Sequence, residues 1–369
     1  MGSTKDTNML SMPSDMAAGV GEYRIRDDYS VFDWAHQDHK MPDTIPGKGA
    51  ASAVVGGFIF EHFENMGIPT HYKGMADEAG NEFTTSGMDR PTDRIRFKLV
   101  NVVEPKPIYE GDKIKDHDYS GLQQMAENGE GCYVLPAECL FRLSLPEGSS
   151  LLRRMRNGEI DPKDFGFDDV PEPYSALPNP VYDLTSKFEE WGDRPIGWDD
   201  LMKMGVREEE IPIVKDLVIR GSGLVKSLWS EAGLDVADGK FEFIYGPGRD
   251  VMFGDIAGAL DEIRGLYEHK DGTWVQVSKE PARQYYEITD PEWVAEARQL
   301  KDDKVKDWQS KCSREPKPLD PDFRELLSQM YMAPANELLG RELFRGVPPL
   351  SQVVSDLHSY FEELKKKHQ

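Results

Sequence analysis

The chain has 369 residues, with 67 acidic against 44 basic side chains and a formal charge of -23. That balance excludes the basic face a nucleic-acid binder needs and disfavours an anionic membrane surface. An apolar share of 38% with 10% aromatics is too rich for disorder, and the length suggests about two domains around a sizeable core.

Lys5 and Asp6 sit near a strand start, where an ammonium can face a phosphate or lie exposed. Residues 19–34 predict a glycine turn, a short alternating strand and a polar loop that holds Ser30 and Asp33. Residues 35–48 carry loop chemistry and end at Ile45-Pro46-Gly47-Lys48-Gly49. A glycine-lysine-glycine turn at a helix start offers N–H groups to an anion, or is an ordinary cap. Small and apolar residues from Ala50 to Met66 predict a buried helix stopped at Gly67. Residues 95–103 and 132–145 read as strands of one sheet.

In the second of these, Glu138, Leu140 and Arg142 share a face, with Gly148-Ser149 beyond. A carboxylate and a guanidinium there form a structural ion pair or a site for a phosphorylated or carboxylated ligand. The proline-rich stretch 157–200 predicts loops, and 208–232 a helix closing at Gly233. Residues 240–246 and 250–256 predict a hairpin through Gly-Pro-Gly-Arg. Lys240 and Glu242 alternate with Phe241 and Phe243, and Asp255 is placed to come opposite Glu242. Two carboxylates on neighbouring strands suit Mg²⁺, or form a solvated outer face. Asp261, Arg264, Lys279 and Arg283 precede helices over 291–312, 321–344 and 351–367. Strands, loops, a hairpin and helices in this order predict an α+β protein.

No run approaches about 18 apolar residues, so no transmembrane helix is expected. The opening MGSTKDTNML lacks a basic region before an apolar run, and Asp6 stands where a myristoylation signal needs Ser or Thr. Cys132, Cys139 and Cys312 are odd in number with no CxxC spacing. Disulfides and a structural zinc site are therefore not expected, and a reducing cytoplasm is the simplest setting.

Taken in order, these segments resemble the SAICAR synthetase family, the phosphoribosylaminoimidazole-succinocarboxamide synthases. Gly2–Asp6 is similar to its GKxKD opening, Asp27–Asp33 to DRISAFD, Ile45–Gly49 to IPGKG, and Gly67–His71 to GIPxH. Glu138–Arg142 with Gly148-Ser149 resembles ECxxRxxxxGS, and Lys187 with Glu189 and Asp193 resembles KxDxxxDP. Asp238–Phe243 is similar to DFKLEF, Gly254-Asp255 to GDE, and Asp261 with Arg264 to DxxR. DDYSVFDW, GIPTHY and VSKEPARQYY look most like archaeal, particularly haloarchaeal, members. The resemblance spans about residues 2–290.

It implies an α+β, two-lobed fold with an ATP-grasp/kinase-like nucleotide cleft plus C-terminal helices. The expected parts are an N-terminal mixed β lobe (1–135), a central lobe (136–290) and a helical extension (291–369). The implied reaction joins L-aspartate to the carboxylated aminoimidazole ribotide, CAIR, at the expense of ATP, giving SAICAR, ADP and phosphate. Lys5, Lys187 and Lys240 would then neutralise phosphates, and Glu242 and Asp255 would hold Mg²⁺. Arg142, Ser149, Arg264 and Arg283 would clamp CAIR, with Asp261 beside them. Ser30, Asp33 and Lys48 would face aspartate, with Glu138 behind the metal or substrate. Lys240, Arg142 and Asp255 would carry the chemistry. The basic residues would make a local positive cleft within a negative protein.

The chain departs from the pattern at Leu143, where the family has Asn, at Ile256, where it has Glu, and by an insertion at about Ala35 to Lys40. The two lost polar groups leave a paralogous ligase with another acceptor or amine, or a non-catalytic nucleotide binder, as alternatives. Residues 300–369 lie outside the resemblance and are expected to pack as helices or to form a dimer surface.

Overall fold

The computed structural model describes residues 4–35, 39–111, 113–190, 192–303, 305 and 307–368. Gly2 and Ser3 of the opening motif, and residues 36–38 of the insertion, lie outside them. In chain order the elements are β1 (Lys5–Ser11), β2 (Gly19–Ile25), α1 (Lys48–Asn65), β3 (Tyr72–Ala76), β4 (Glu82–Phe83) and β5 (Arg94–Leu99). Then come β6 (Lys106–Glu110), β7 (Lys113–Asp118), α2 (Ser120–Glu127), β8 (Tyr133–Leu145), α3 (Ser150–Arg156), β9 (Ser175–Ser186) and β10 (Pro195–Ile196). The rest are α4 (Ile211–Glu231), β11 (Asp235–Tyr245), β12 (Val251–Gly254), β13 (Ile263–Glu268), β14 (Trp274–Val277), α5 (Glu280–Thr289), α6 (Pro291–Asp302), α7 (Pro321–Leu339) and α8 (Leu350–His368).

The α+β expectation holds, but the strands divide differently from the sequence reading. β5 belongs to a five-stranded antiparallel sheet, β1-β2-β5-β3-β4, and β8 to a seven-stranded one, β10-β9-β8-β11-β13-β14 with β12 on β11. The two predicted strands are therefore in separate sheets. What links them is short: Phe253 of β12 exchanges backbone hydrogen bonds with Pro69 and His71, just before β3, and Asn101, just past β5, bonds the backbone on either side of Tyr133 in β8.

Within the stretch expected to be loop, β9 pairs with β8 over most of its length. Pro178 and Pro180 had argued against a strand, since proline cannot donate to the ladder. Both lie between the paired runs, in the segment where the β8–β9 register shifts. The tail also differs from expectation. The 291–312 helix stops at Asp302, and α7 ends where Gly340 takes φ 61° at its C-cap.

The seven-stranded sheet buries one face on α4. Phe141, Phe241, Phe243 and Phe253 turn inward at alternate positions, and Phe241 lies 4.9 Å from both Phe141 and Phe253 by ring centroids. Gly221 in α4 permits this approach, since a Cβ there would sit 2.5 Å from the Phe253 ring. α1 is buried on most of its circumference, from Lys48 to Phe63, which explains its lack of a polar stripe. α7 packs across α1, and α8 across α7. One continuous core runs from Ile25 to Leu364, so the C-terminal helices complete the interior. The expected boundary at 135/136 falls inside β8.

One buried charge cluster braces the sheet's far end. Arg249 donates to both Glu210 oxygens (2.8 and 2.7 Å), to the carbonyls of Glu130 and Gly205 (both 2.8 Å) and to Tyr133 (3.0 Å). Every guanidinium nitrogen is satisfied, as a buried charge requires.

Candidate active site

The face of β8–β11–β13 opposite the phenylalanines carries the predicted polar residues. Asp238, Lys240 and Glu242 follow one another at every second position of β11. Asp238 is registered against Arg142 of β8 and Arg264 of β13, and Glu242 against Glu138. At about 3.3 Å per strand residue, Asp238 and Glu242 lie about 13 Å apart. β11 changes partner on one edge between them, from β13 to β12, and there Lys240 N–H donates to the Glu262 carbonyl at 2.9 Å.

The Glu242 end gathers lysines. Lys240 Nζ lies 2.7 Å from Glu138, 3.4 Å from Glu262 and 3.8 Å from Glu242. Lys187 pairs with Glu242 and lies 3.8 Å from Glu138, and Lys5 of β1 pairs with Asp255. Burial by itself would raise the Glu242 carboxyl, but Lys187, Lys240 and Lys5 outweigh it and hold the group down at about 2. Burial pulls the Lys5 ammonium down to about 8. Lys240 is opposed by burial yet driven up by Glu262, Glu138 and Glu242, so it stays charged.

Asp255 does not stand opposite Glu242; Gly254 does. β12 ends at Gly254, and Asp255 takes φ 53°, which swings its side chain off the strand's alternation. His71 holds that turn: its Nε2 lies 2.9 Å from the Asp255 carbonyl. Burial lowers His71 to about 3, with Lys5 and Lys98 adding to the effect, so it is neutral and donates this bond. Apart from the Lys5 ammonium, the buried Asp255 Oδ1 receives no hydrogen bond. Two carboxylates, Glu242 ionised and Asp255 held by the Lys5 ammonium alone at its buried Oδ1, are hard donors of the kind Mg²⁺ selects.

The Asp238 end gathers arginines. Arg264 Nε donates to Asp238 Oδ1 at 2.8 Å, and its Nη2 lies 2.8 Å from Oδ2 as an ion pair. Arg142 pairs with Asp183 at 2.9 Å and lies 3.9 Å from Asp238. The Gly148-Ser149 turn closes over them. Gly148 has φ 80°, and a Cβ there would sit 3.3 Å from Glu280 and 3.7 Å from Arg264. Ser149 is buried and caps α3. Arg283 of α5 pairs with Glu280 at 2.9 Å.

A third group lies at the start of α1. Lys48, only 1% exposed, pairs with Asp261, whose other oxygen accepts from Tyr331 Oη of α7 at 2.7 Å. The N–H groups expected to greet an anion are taken: Gly47 and Gly49 donate to Asp27 at 3.1 and 2.8 Å. Asp27, from the preceding loop, thus occupies these two N–H groups beside the N-cap Gly47, so the reading of them as an anion site is corrected. In the neighbouring loop, Ser30 Oγ accepts from Ala35 N–H at 3.2 Å. Asp33, at φ 60° and largely exposed, pairs with Lys301 of α6.

The expected positive cleft is also corrected. Each basic residue named from the motifs faces a carboxylate of the chain itself, because a lysine or arginine packed beside a sheet without ligand needs a counter-charge. Lys279 differs: it makes no ion pair with a described residue and lies in the field of Glu262, Arg283, Lys240 and Asp261. Burial lowers its pKa. Asp238, His71, Lys279 and Tyr331 are the site residues whose roles the motifs did not assign. The first three sit inside quoted or adjacent motifs, whereas nothing local marks Tyr331. Ile256 is buried with its side chain against the α1 backbone at Gly56, so this departure from the family pattern is a core residue. Among the described residues no helix is long and apolar enough to cross a membrane.

Comparison with known proteins places the chain in a family. The SAICAR synthetase family model matches residues 21–300. An Archaeoglobus fulgidus protein provisionally named phosphoribosylaminoimidazole-succinocarboxamide synthase is 35% identical over 363 residues, covering 98% of this chain and all of that protein. The synthase of Thermoplasma acidophilum is 27% identical over 272 residues, 72% of this chain and 78% of its own. Among solved structures, the SAICAR synthase of Saccharomyces cerevisiae complexed with SAICAR aligns with TM-score 0.55 at 17% identity, over 92% of this chain and 93% of that one. A SAICAR synthetase in complex with ADP aligns with TM-score 0.51 at 18% identity, over 86% and 99%. The chain belongs to the SAICAR synthetase family of ATP-dependent ligases.

Proposed function

We propose that this protein joins L-aspartate to CAIR, forming SAICAR, ADP and phosphate, as a cytoplasmic step of purine biosynthesis. The observation that carries the reading is the single polar sheet face with lysines and two candidate metal carboxylates at one end. Two arginines around Asp238 stand at the other, about 13 Å away. A nucleotide triphosphate and a carboxylated ribotide can lie side by side along such a face.

The chemistry makes distinct demands on the two ends. A carboxylate is a poor electrophile. Its oxygen first attacks the γ-phosphorus, the bond to ADP breaks, and an acyl phosphate forms. The aspartate amine then attacks the acyl carbon, phosphate leaves, and the amine gives up a proton. Positioning and charge neutralisation supply most of the catalysis in such transfers. Lys5, Lys187 and Lys240 meet the phosphates, exchanging their present carboxylate partners for phosphate oxygens. Glu242 and Asp255 would hold Mg²⁺, which when bound supplies charge neutralisation at the phosphates. Arg142 and Arg264, braced by Asp183 and Asp238, take the phosphate and carboxylate of CAIR with Ser149 and Arg283. Lys48, with Asp261, and the Ser30–Asp33 loop take aspartate.

Purified protein supplied with ATP, Mg²⁺, CAIR and aspartate should release ADP and form SAICAR only when all four are present. ADP release without CAIR dependence, or none at all, refutes the proposal.

A further inference from the structure

Outside this cleft, three side chains converge where the C-terminal extension meets the central sheet. His269 and Asp271 lie in the turn between β13 and β14, and His358 projects from α8. Asp271 Oδ1 is 2.9 Å from His269 Nδ1, and its Oδ2 is 3.3 Å from His358 Nε2. One ligand atom from each residue falls within 4.8 Å of the others. We propose that His269, Asp271 and His358 form a site for a Zn²⁺-class transition metal that pins α8 to the β13–β14 turn.

Three observations support this. First, the His269 side chain is only 10% exposed, and neither of its ring nitrogens has a hydrogen-bond partner. A buried imidazole ordinarily satisfies at least one nitrogen. Here Nδ1 approaches the carboxylate closely but without the alignment of a hydrogen bond, which leaves its lone pair for another acceptor. Second, ligand atoms about 2.0–2.2 Å from one ion, at angles of 90–109°, stand about 3.0–3.5 Å apart. The 2.9 and 3.3 Å separations match that spacing for a carboxylate that turns one oxygen toward each imidazole. Third, the turn is set before any ion arrives. His269 N–H donates to the Thr273 carbonyl, Gly272 N–H to the His269 carbonyl, both at 2.8 Å, and Thr273 N–H to Asp271 Oδ1 at 3.0 Å.

The donor types decide the metal class. Two imidazoles and one carboxylate suit Zn²⁺, Co²⁺ or Ni²⁺, whereas Mg²⁺ prefers oxygen donors throughout. Asp271 is about half exposed, so solvent can reach the ion to complete its shell. The cysteine count that argued against a thiolate zinc site has no bearing on imidazole ligands. Because α8 packs on α5, which carries Arg283, the ion would steady the extension behind the arginine end of the cleft.

The full-length protein, stripped with a chelator and dialysed, should be titrated with Zn²⁺ alone, with bound metal counted by mass spectrometry. One equivalent is expected, together with a zinc-dependent rise in Tm and, on Co²⁺ substitution, a visible ligand-field spectrum. His358→Gln, at a partly exposed position on α8, and Asp271→Asn should each weaken zinc binding at least about tenfold, as even supporting groups around a metal do. Each should also abolish the Co²⁺ spectrum. Failure of the wild-type protein to retain zinc, or equal retention by both variants, would overturn the site. Neither result bears on ligase activity.

Discussion

Tyr331→Phe tests whether the C-terminal helices are part of the active site. The ring stays, and the core around α7 keeps its volume. Lost is one hydrogen bond of 2.7 Å to the Asp261 carboxylate, which also holds Lys48. Asp261 is opposed by burial but kept ionised below the usual carboxylate range by Lys48 and by Tyr331 itself. A hydrogen bond to a charged group contributes about 1.5–3 kcal/mol. Unfolding entropy near 2.1 cal/mol/K per residue makes about 0.8 kcal/mol/K for the whole chain, so Tm should fall by about 2–4 °C. The Asp261 carboxylate, less firmly held, should also raise the KM of one substrate several-fold while the others keep theirs. Differential scanning calorimetry and steady-state kinetics with each substrate varied in turn provide the check. A Tm within 1 °C of wild type together with unchanged KM values would refute the reasoning.

Asp255→Asn should keep the fold by circular dichroism and lose about 100-fold or more in kcat, since removing charge stabilisation from a phosphoryl transfer costs several kcal/mol; wild-type turnover would remove Asp255 from the metal role. Lys5 must be protonated to meet a phosphate, and burial sets its pKa at about 8. kcat/KM for ATP should therefore decline as pH rises through about 8, and Lys5→Arg, which cannot deprotonate in that range, should move the decline upward; identical profiles would argue against it. Arg249→Met strands the buried Glu210 charge and should cost about 3–5 kcal/mol, or about 4–6 °C in Tm, with activity per folded molecule unchanged; a stable variant would show that the cluster is dispensable.

Much of this molecule is legible in local patterns. The alternation of Lys240 and Glu242 with Phe241 and Phe243 specifies a strand with one charged and one buried face, because side chains on a strand alternate whatever it packs against. Small residues at helical spacing specify α1, and the ordered motifs identify the family. Such features depend on residues a few positions apart, so the linear chain contains them whole.

Pairings between distant segments are another matter. That β5 and β8 enter different sheets, that β9 threads two prolines past a register shift, and that Asp27 occupies the N–H groups of α1 are decided by which segments meet in space. Apart from Arg283, which pairs with Glu280 on its own helix, the motif lysines and arginines look free in the sequence because carboxylate partners reach them from other segments of the fold. Tyr331 reaches Asp261 across 70 residues, and His358 reaches Asp271 across 87, separations at which no spacing rule operates. Sequence alone determined the chemistry available to this protein. Tertiary packing decided which groups share a site, because hydrogen bonds and ion pairs depend on distances of a few ångströms that only the folded chain defines.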